Sequence, residues 1–330
     1  MNSFGRLFRI QVFGESHGAG VGVIIDGCPA GLRIMESDLM LEINRRKSDG
    51  IGTTARTESD FPEIISGILN EKTTGSPIAI VFKNQDVQSE IYQTFREVPR
   101  PGHADFVVDR KFGGFNDIRG GGHFSGRLTL GLVAAGAIAK KLIEPTTINA
   151  KILEIGGETD FEEIIEKVRA EGDSIGGLIE CRVQGVPVGL GEPFFDSVES
   201  LISHIVFSIP GIKAIEFGSG FQAAVMRGSA HNDLFIDKKG TTSTNNAGGI
   251  NGGITNGNEI IFRVAVKPTS SISKSQRTLN FADEEPTDLS ILGRHDACIA
   301  LRAPVIVEAA TAIVLADLFL LEQKFGRRME

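Results

Sequence analysis

Leu128-Thr-Leu-Gly-Leu-Val-Ala-Ala-Gly-Ala-Ile-Ala-Lys-Lys-Leu-Ile143 is apolar around the whole helical circumference, and its only charges, Lys140 and Lys141, come near its end. A helix without a polar stripe has no face for water, so other elements must cover it. A second stretch of this kind, residues 305 to 321, lies near the far end of the 330-residue chain. A bilayer-spanning helix needs about 20 apolar residues in a clean run. Two lysines close the first stretch, and the second carries Glu308 and Asp317. Both read as buried core helices.

The covers can be found in the rest of the chain. Phe8, Ile10 and Val12 alternate with Arg9 and Gln11, and residues 260 to 266 form a short β-branched run. Such patterns predict sheets with one solvated face. Ile25-Asp-Gly-Cys-Pro-Ala-Gly-Leu32 is echoed by Val183-Gln-Gly-Val-Pro-Val-Gly-Leu190. A helix-like segment follows each (residues 37 to 46 and 197 to 208), then an apolar segment ending near glycine (64 to 67 and 214 to 218). This predicts two similar halves, roughly 1–150 and 170–330, packed sheet, helices, sheet. No linker rich in Pro, Ser or charge separates them, so a single α+β domain over 1–330 is expected.

Composition narrows the partners. The chain is 41% hydrophobic and 23% charged, with 34 Lys+Arg against 42 Asp+Glu and a net charge of -8. A general attraction to nucleic acid or an anionic membrane is therefore not expected, and any recognition of anions must be local. Cys28, Cys181 and Cys298 are odd in number, far apart and without metal-ligand spacing, which fits a reduced cytoplasm. The N-terminus has no apolar signal core, and no metal motif occurs.

The apolar helix is preceded by Arg119-Gly-Gly-Gly-His-Phe-Ser-Gly-Arg127, which reads as a seat for a phosphate or carboxylate. Glycines let backbone amides approach, the helix start is electropositive, and two arginines flank the loop. It lacks the Gly-Lys-Ser/Thr ending of a Walker A loop. Gly14-Glu-Ser16-His17-Gly18 fits the Gly-x-Ser-x-Gly pattern of a serine hydrolase using Ser16, but residues 19 to 26 read as a strand where an elbow needs a helix. His103 lies in Arg100-Pro-Gly-His-Ala-Asp105, and His295 in Gly293-Arg-His-Asp296. Four of the six histidines (17, 103, 123 and 295) thus sit in glycine-containing loops, whereas His204 and His231 read as structural or surface residues. Together the four suggest proton transfer at an anion-lined site. Lys267-Pro-Thr-Ser-Ser271 can meet phosphate through hydroxyls and amides, and Asn245-Asn-Ala-Gly-Gly-Ile-Asn-Gly-Gly253 can lie flat against a planar ligand or simply turn.

Taken in order along nearly the whole chain, these blocks resemble the chorismate synthase family. Gly-Asp-Ser-Ile-Gly at 172 to 176 and Gly-Leu-Gly-Glu-Pro at 189 to 193 add to the likeness. The resemblance implies a helical core between two antiparallel sheets with an internal pseudo-twofold repeat, and a cytoplasmic homotetramer. It implies a 1,4-elimination of phosphate from 5-enolpyruvylshikimate 3-phosphate to give chorismate, needing reduced FMN (FMNH2) without net redox change. By the same resemblance His17, His103, Asp296 and Ser16 are catalytic. Arg46, Arg100, Arg127 and Arg294 hold substrate anions. His123, Phe124, Ser125, Pro210, Gly211, Gly252, Lys267, Pro268, Thr269, Ser270, Ser271 and Arg294 contact FMN, and Arg46 meets NADP. The reductant is NADPH used by this chain or a separate flavin reductase, and a non-catalytic flavin-binding protein stays the second reading beside the hydrolase. The family commonly has Arg-Ser-Ser-Ala-Arg where this chain has His123-Phe-Ser-Gly-Arg127, and residues 48 to 52 lack its second arginine. Flavin binding at the loop is therefore expected to rely on backbone amides.

Overall fold

The computed structural model describes residues 2–47, 52, 59–85, 90–291 and 295–324. The first half supplies strands β1 (Ser3–Phe4), β2 (Arg9–Gly14) and β3 (Gly20–Asp26), helix α1 (Glu36–Lys47), and strands β4 (Glu63–Ser66) and β5 (Ile78–Lys83). Helix α2 (Asp105–Phe112) and the glycine loop then lead to α3 (Thr129–Leu142). The second half supplies β6 (Thr147–Ile155), α4 (Glu162–Ala170), β7 (Gly177–Gln184), α5 (Val198–Val206), β8 (Ile212–Phe217), β9 (Ile260–Val266) and α6 (Ala303–Lys324).

Two antiparallel sheets result, ordered β1-β2-β3-β5-β4 and β8-β9-β7-β6. Without the edge strand β1, the order β2-β3-β5-β4 in the first half is repeated as β6-β7-β9-β8 in the second. Helices α1 and α5 follow the second strand of each set, and α3 and α6 follow the fourth. The pseudo-twofold repeat is thus visible in the topology itself. Strand β9 shows the pattern most cleanly: Ile260, Phe262, Val264 and Val266 face inward. On its outer face Arg263 lies between Glu180 (3.1 Å) and Glu216 (3.2 Å) of the neighbouring strands, a cross-strand charge ladder.

The two apolar helices fill the middle. Helix α3 packs on β3, α6 packs on β6 and β7, and the two helices lie against each other. Residues 129–139 of α3 and 303–318 of α6 are almost all buried. Helix α6 is long and apolar enough to cross a membrane, yet most of it is enclosed by the fold. Its two buried acids explain the difference. Asp317 accepts hydrogen bonds from the backbone amides of Arg6, Leu7 and Phe8, pinning the turn before β2. Glu308 takes both terminal nitrogens of Arg45 (2.6 and 2.7 Å), Lys140 Nζ (2.7 Å) and the Ala150 amide (2.9 Å), joining α1, α3 and β6 to α6. Burial pushes the Glu308 carboxyl up, but Arg45 and Lys140 outweigh it and hold the group below the usual carboxylate range.

Candidate active site

Ser16 and His17 sit in the short loop between β2 and β3, which therefore leads into a strand and not a helical elbow. The Ser16 amide donates to Gly122 O (3.1 Å), fastening this loop to the glycine loop. Gly120 has φ +59°, and a Cβ there would lie 2.4 Å from His17 Cδ2 and 2.9 Å from Ser16 Oγ. Only glycine lets the backbone pass so close to both side chains. His17 is buried and edge-on to Tyr92, with ring centroids 5.2 Å apart. Ser16 Oγ is buried too and has no hydrogen-bond partner among the described residues.

On the next residue of the loop, a Cβ at Gly121 would lie 3.8 Å from His103 Nε2. His103 is held from behind: Nδ1 lies 2.6 Å from Asp105 Oδ1 and 3.0 Å from Arg100 Nη2. Arg100 is itself buried, donates from Nε and Nη2 to Asp105 (2.7 and 2.8 Å) and from Nη1 to Ser271 Oγ (3.0 Å), and stacks over Phe95 at 4.5 Å. Burial pushes the Asp105 carboxyl up, but hydrogen bonds from Arg100 and His103 outweigh it and hold it well below the usual range.

Ser271 belongs to the hydroxyl-rich turn after β9. Lys267 Nζ donates to Gly102 O (2.9 Å) and Ser270 Oγ (2.7 Å), and its backbone amide donates to Gly211 O (2.8 Å). Burial and the nearby Lys213 lower the Lys267 pKa. The 267–271 turn, the Pro210-Gly211 turn and the His103 turn thus meet. Beside them opens a pocket of about 200 Å³ lined by Ser125, His123, Pro210 and Ser208, with Phe4, Leu128 and Ile205 among its apolar walls. His204, read from sequence as structural or surface, also lines this pocket and stacks edge-on with Phe4 at 5.3 Å. His123 donates from Nδ1 to Gly14 O (2.9 Å), since a carbonyl can only accept, and its Nε2 meets the Asn2 side chain (3.0 Å). Phe124 is partly exposed at the rim of the loop, against Phe112.

The remaining cations are paired with acids, of which only Asp296 was singled out in the sequence. Arg127 is buried and reaches Asp60 Oδ1 (2.9 Å), Asn84 and Lys83 O. Arg46 donates to Thr129 Oγ1 (2.9 Å) and Gly126 O (3.0 Å), with Nη1 3.9 Å from Asp60. Arg119 forks onto Asp117, and that hydrogen bonding, larger than the opposing effect of burial, lowers the Asp117 pKa. Asp296 receives Arg302 Nε (2.8 Å), while Arg302 Nη1 reaches Lys47 O at the end of α1. His295 beside it is half-buried, its Nε2 atom buried with no partner among the described residues, and desolvation, aided by Arg100, lowers its pKa. Gly252 sits in the hairpin of Ile250–Asn251 and Ile254–Thr255, where the neighbouring Gly253 O accepts from the Val198 amide at the start of α5. Arg294 and residues 48 to 51 fall outside the described residues.

A family model described as chorismate synthase matches residues 8–320. The chain belongs to the chorismate synthase family. It is 59% identical to a chorismate synthase of Chitinophaga pinensis over 328 residues, covering 99% of both chains. It is 48% identical to one of Dehalococcoides mccartyi, covering 97% of this chain and 96% of that one. A crystal structure of a chorismate synthase superposes with a TM-score of 0.75 at 28% identity, covering 98% of this chain and 94% of the other. The enzyme is a carbon–oxygen lyase acting on phosphates, and 1,4-elimination of phosphate from 5-enolpyruvylshikimate 3-phosphate gives chorismate, a step toward aromatic amino acids. Nothing favours the hydrolase or the non-catalytic reading, and the strand that follows Ser16 speaks against an elbow nucleophile.

Proposed function

We propose that this chorismate synthase works with reduced FMN held between the glycine loop and the turns at 210–211 and 267–271, and that His17 and His103 serve cofactor and substrate respectively. The residues gathered here fit such a group. Ser16 Oγ is a buried hydroxyl without a partner among the described residues, the 267–271 turn offers an ammonium and hydroxyls to a phosphate, and the pocket beside Ser125 has apolar walls for a flat ring. When bound, reduced flavin supplies an electron transiently and recovers it, which accounts for a redox cofactor in a reaction without net oxidation.

His17 hydrogen-bonds or protonates the cofactor, and His103 assists departure of the substrate phosphate through Nε2. Asp296, with Ser16 as relay, helps to move the proton leaving substrate C6. Arg46, Arg127 and Arg294 favour the anionic substrate electrostatically, Arg100 contributes to the same field, and Arg46 also meets the phosphate of NADPH. The cofactor contacts are Ser125, Pro210, Gly211 and Lys267 to Ser271, with His123 and Phe124 at the rim and Gly252 and Arg294 completing the set. One juxtaposition supports these roles above all: His17 lies at Gly120 and His103 at Gly121, so two proton carriers flank consecutive residues of one loop.

The enzyme is read as a cytoplasmic homotetramer of single-domain chains. Three buried unpaired thiols support the compartment, and the exposed Phe194, Phe195, Phe221 and Phe235 support self-association. Anaerobic assays with reduced FMN and substrate are expected to release phosphate and chorismate together. Equal turnover with oxidised FMN, or with none, would refute the flavin requirement. Flavin bleaching by NADPH alone separates self-reduction from supply by a reductase.

A further inference from the structure

We infer that Ser174 is a positioning residue for the cofactor: by holding the Thr269 carbonyl it sets the plane of a peptide in the 267–271 turn and leaves the Ser270 amide open to an anion. Ser174 belongs to Gly172-Asp-Ser-Ile-Gly176, the link between α4 and β7, which contains none of the proposed catalytic or ligand-binding residues. Its Oγ donates to Thr269 O (2.7 Å). The 269–270 peptide is trans, and in a trans peptide C=O and N–H point opposite ways in one plane, so this bond turns the Ser270 N–H away from the loop. That N–H makes no hydrogen bond among the described residues. The side chains around it are tied, Lys267 and Ser270 to Gly102 O and Ser271 to Arg100. An unbonded amide beside an ammonium suits an anion, whereas a flipped plane would present the Thr269 carbonyl lone pairs in its place.

The loop is itself held fast. Gly176 presses on the entry to the turn, where a Cβ would lie 2.5 Å from Val266 O and 3.2 Å from Pro268 Cδ. Lys274, just past the turn, comes back to the loop with its amide on Gly172 O (2.9 Å) and its ammonium on Asp173 Oδ2 (2.9 Å). The other oxygen of Asp173 accepts from the Ser174 amide (2.9 Å). On the far side the Ile175 amide donates to the carbonyl of Ala297 (2.9 Å), next to Asp296. Segments 266–274 and 296–297 thus take their spacing from one loop, and Ser174 is the member that reaches the middle of the turn. Coupling of this kind is reciprocal: a loop that steadies the cofactor turn is steadied in return when the cofactor binds. This inference rests on the reading of the 267–271 turn as an FMN contact.

The test begins with the unaltered enzyme. Hydrogen exchange at the Ile175 and Lys274 amides is expected to slow on addition of FMN, beyond any slowing shared by the strands of both sheets. No such extra slowing would overturn the inference without any variant being needed. Ser174→Ala should weaken FMN binding about threefold to tenfold, the worth of one hydrogen bond, and raise the reduced FMN needed for half-maximal turnover by the same factor. At saturating reduced FMN the substrate KM should move less than about twofold. An unchanged FMN affinity would overturn the proposal, and so would a substrate KM raised as much as the FMN requirement, which is the mark of general loosening. Lys267→Met tests the underlying reading. An FMN affinity equal to the parent's in that variant would overturn the turn's role in holding FMN, whereas a loss there with none in Ser174→Ala would overturn the role of Ser174 alone.

Discussion

Replacing Gly136 by alanine tests how the two central helices are held together. Helix propensity alone favours the change by about 1 kcal/mol, since glycine is the poorer helix former. Packing opposes it. A Cβ at Gly136 would lie 2.3 Å from Ala309 Cβ, 2.4 Å from Ala309 Cα and 3.0 Å from Ala309 O on α6. Carbon atoms pack best at about 3.5–4.0 Å, so α3 and α6 would have to part locally by roughly 1–1.5 Å, and a gap of even 0.5–1 Å forfeits a quarter to a half of each contact it opens. The obstacle is mostly backbone and Cβ, with no flexible side-chain end to swing aside. Overpacking of this sort costs about 1–3 kcal/mol or more, and the upper end applies where two buried helices must both move. The net expectation is a loss of about 2 kcal/mol or more once the propensity gain is subtracted. Urea unfolding at fixed protein concentration, without flavin, would measure it, because both ligand and self-association shift apparent stability. Gly228→Ala is the control, since no heavy atom lies within 4 Å of its Cβ position, and it should stay within about 0.5 kcal/mol of the parent. A Gly136→Ala protein as stable as the parent, or more so, would show that propensity wins and that the helix contact is not tight.

Three further outcomes follow from the site and its supports. Gly120→Ala places a Cβ against His17 and Ser16 at φ +59°, so turnover should fall more than tenfold while the left-handed backbone costs only about 1–2 kcal/mol of stability; kinetics beside a melting curve would separate the two. His123→Ala removes a loop-fastening bond to Gly14 O, worth about 0.5–1.5 kcal/mol, so FMN affinity measured by fluorescence quenching should weaken about threefold to tenfold, and a loss far beyond that would mean the imidazole binds flavin phosphate directly. Glu308→Gln should cost about 3–5 kcal/mol at neutral pH because Arg45 and Lys140 lose a buried counter-charge. The folded pKa of Glu308 lies below its ordinary 4.5, so its contribution is complete above that pH and is lost as pH falls through the lower folded value; the variant should therefore lose less stability on acidification than the parent, and parallel acid curves would refute the assignment.

The scaffold was legible because its signals are local and periodic. The alternation of Ile260, Phe262, Val264 and Val266 needs no knowledge of neighbours, and the unbroken apolar circumference of residues 129–139 can only be satisfied inside. The repeated Gly-x-Pro-x-Gly-Leu turn after β3 and β7 marked two halves that do share one strand order. Histidine and glycine clustering likewise singled out the two histidines, His17 and His103, whose rings lie beside Gly120 and Gly121.

Charge pairing was the part that sequence concealed. Reading Arg119-Gly-Gly-Gly-His-Phe-Ser-Gly-Arg127 supplied the cations of an anion seat and left out their counter-ions. A guanidinium in a folded site, above all a buried one such as Arg100 or Arg127, finds a carboxylate or carbonyl before any ligand arrives, because the desolvation cost is otherwise too large. Arg119 finds Asp117 and Arg100 finds Asp105, and both partners lie within five residues, where a search for nearby acids would have found them. Arg127 and Asp60 are 67 positions apart, and Arg45 and Glu308 are 263 apart, so only the fold can join them. The site is consequently closer to electrostatic balance than its arginine content suggests, and its preference for an anionic substrate depends on geometry: which guanidinium hydrogens the resident carboxylates leave facing the ligand. Asp60 is the sharpest case, touching Arg127 at 2.9 Å and approaching Arg46 at 3.9 Å. A substrate anion near either arginine meets a field that this one buried carboxylate has already weakened.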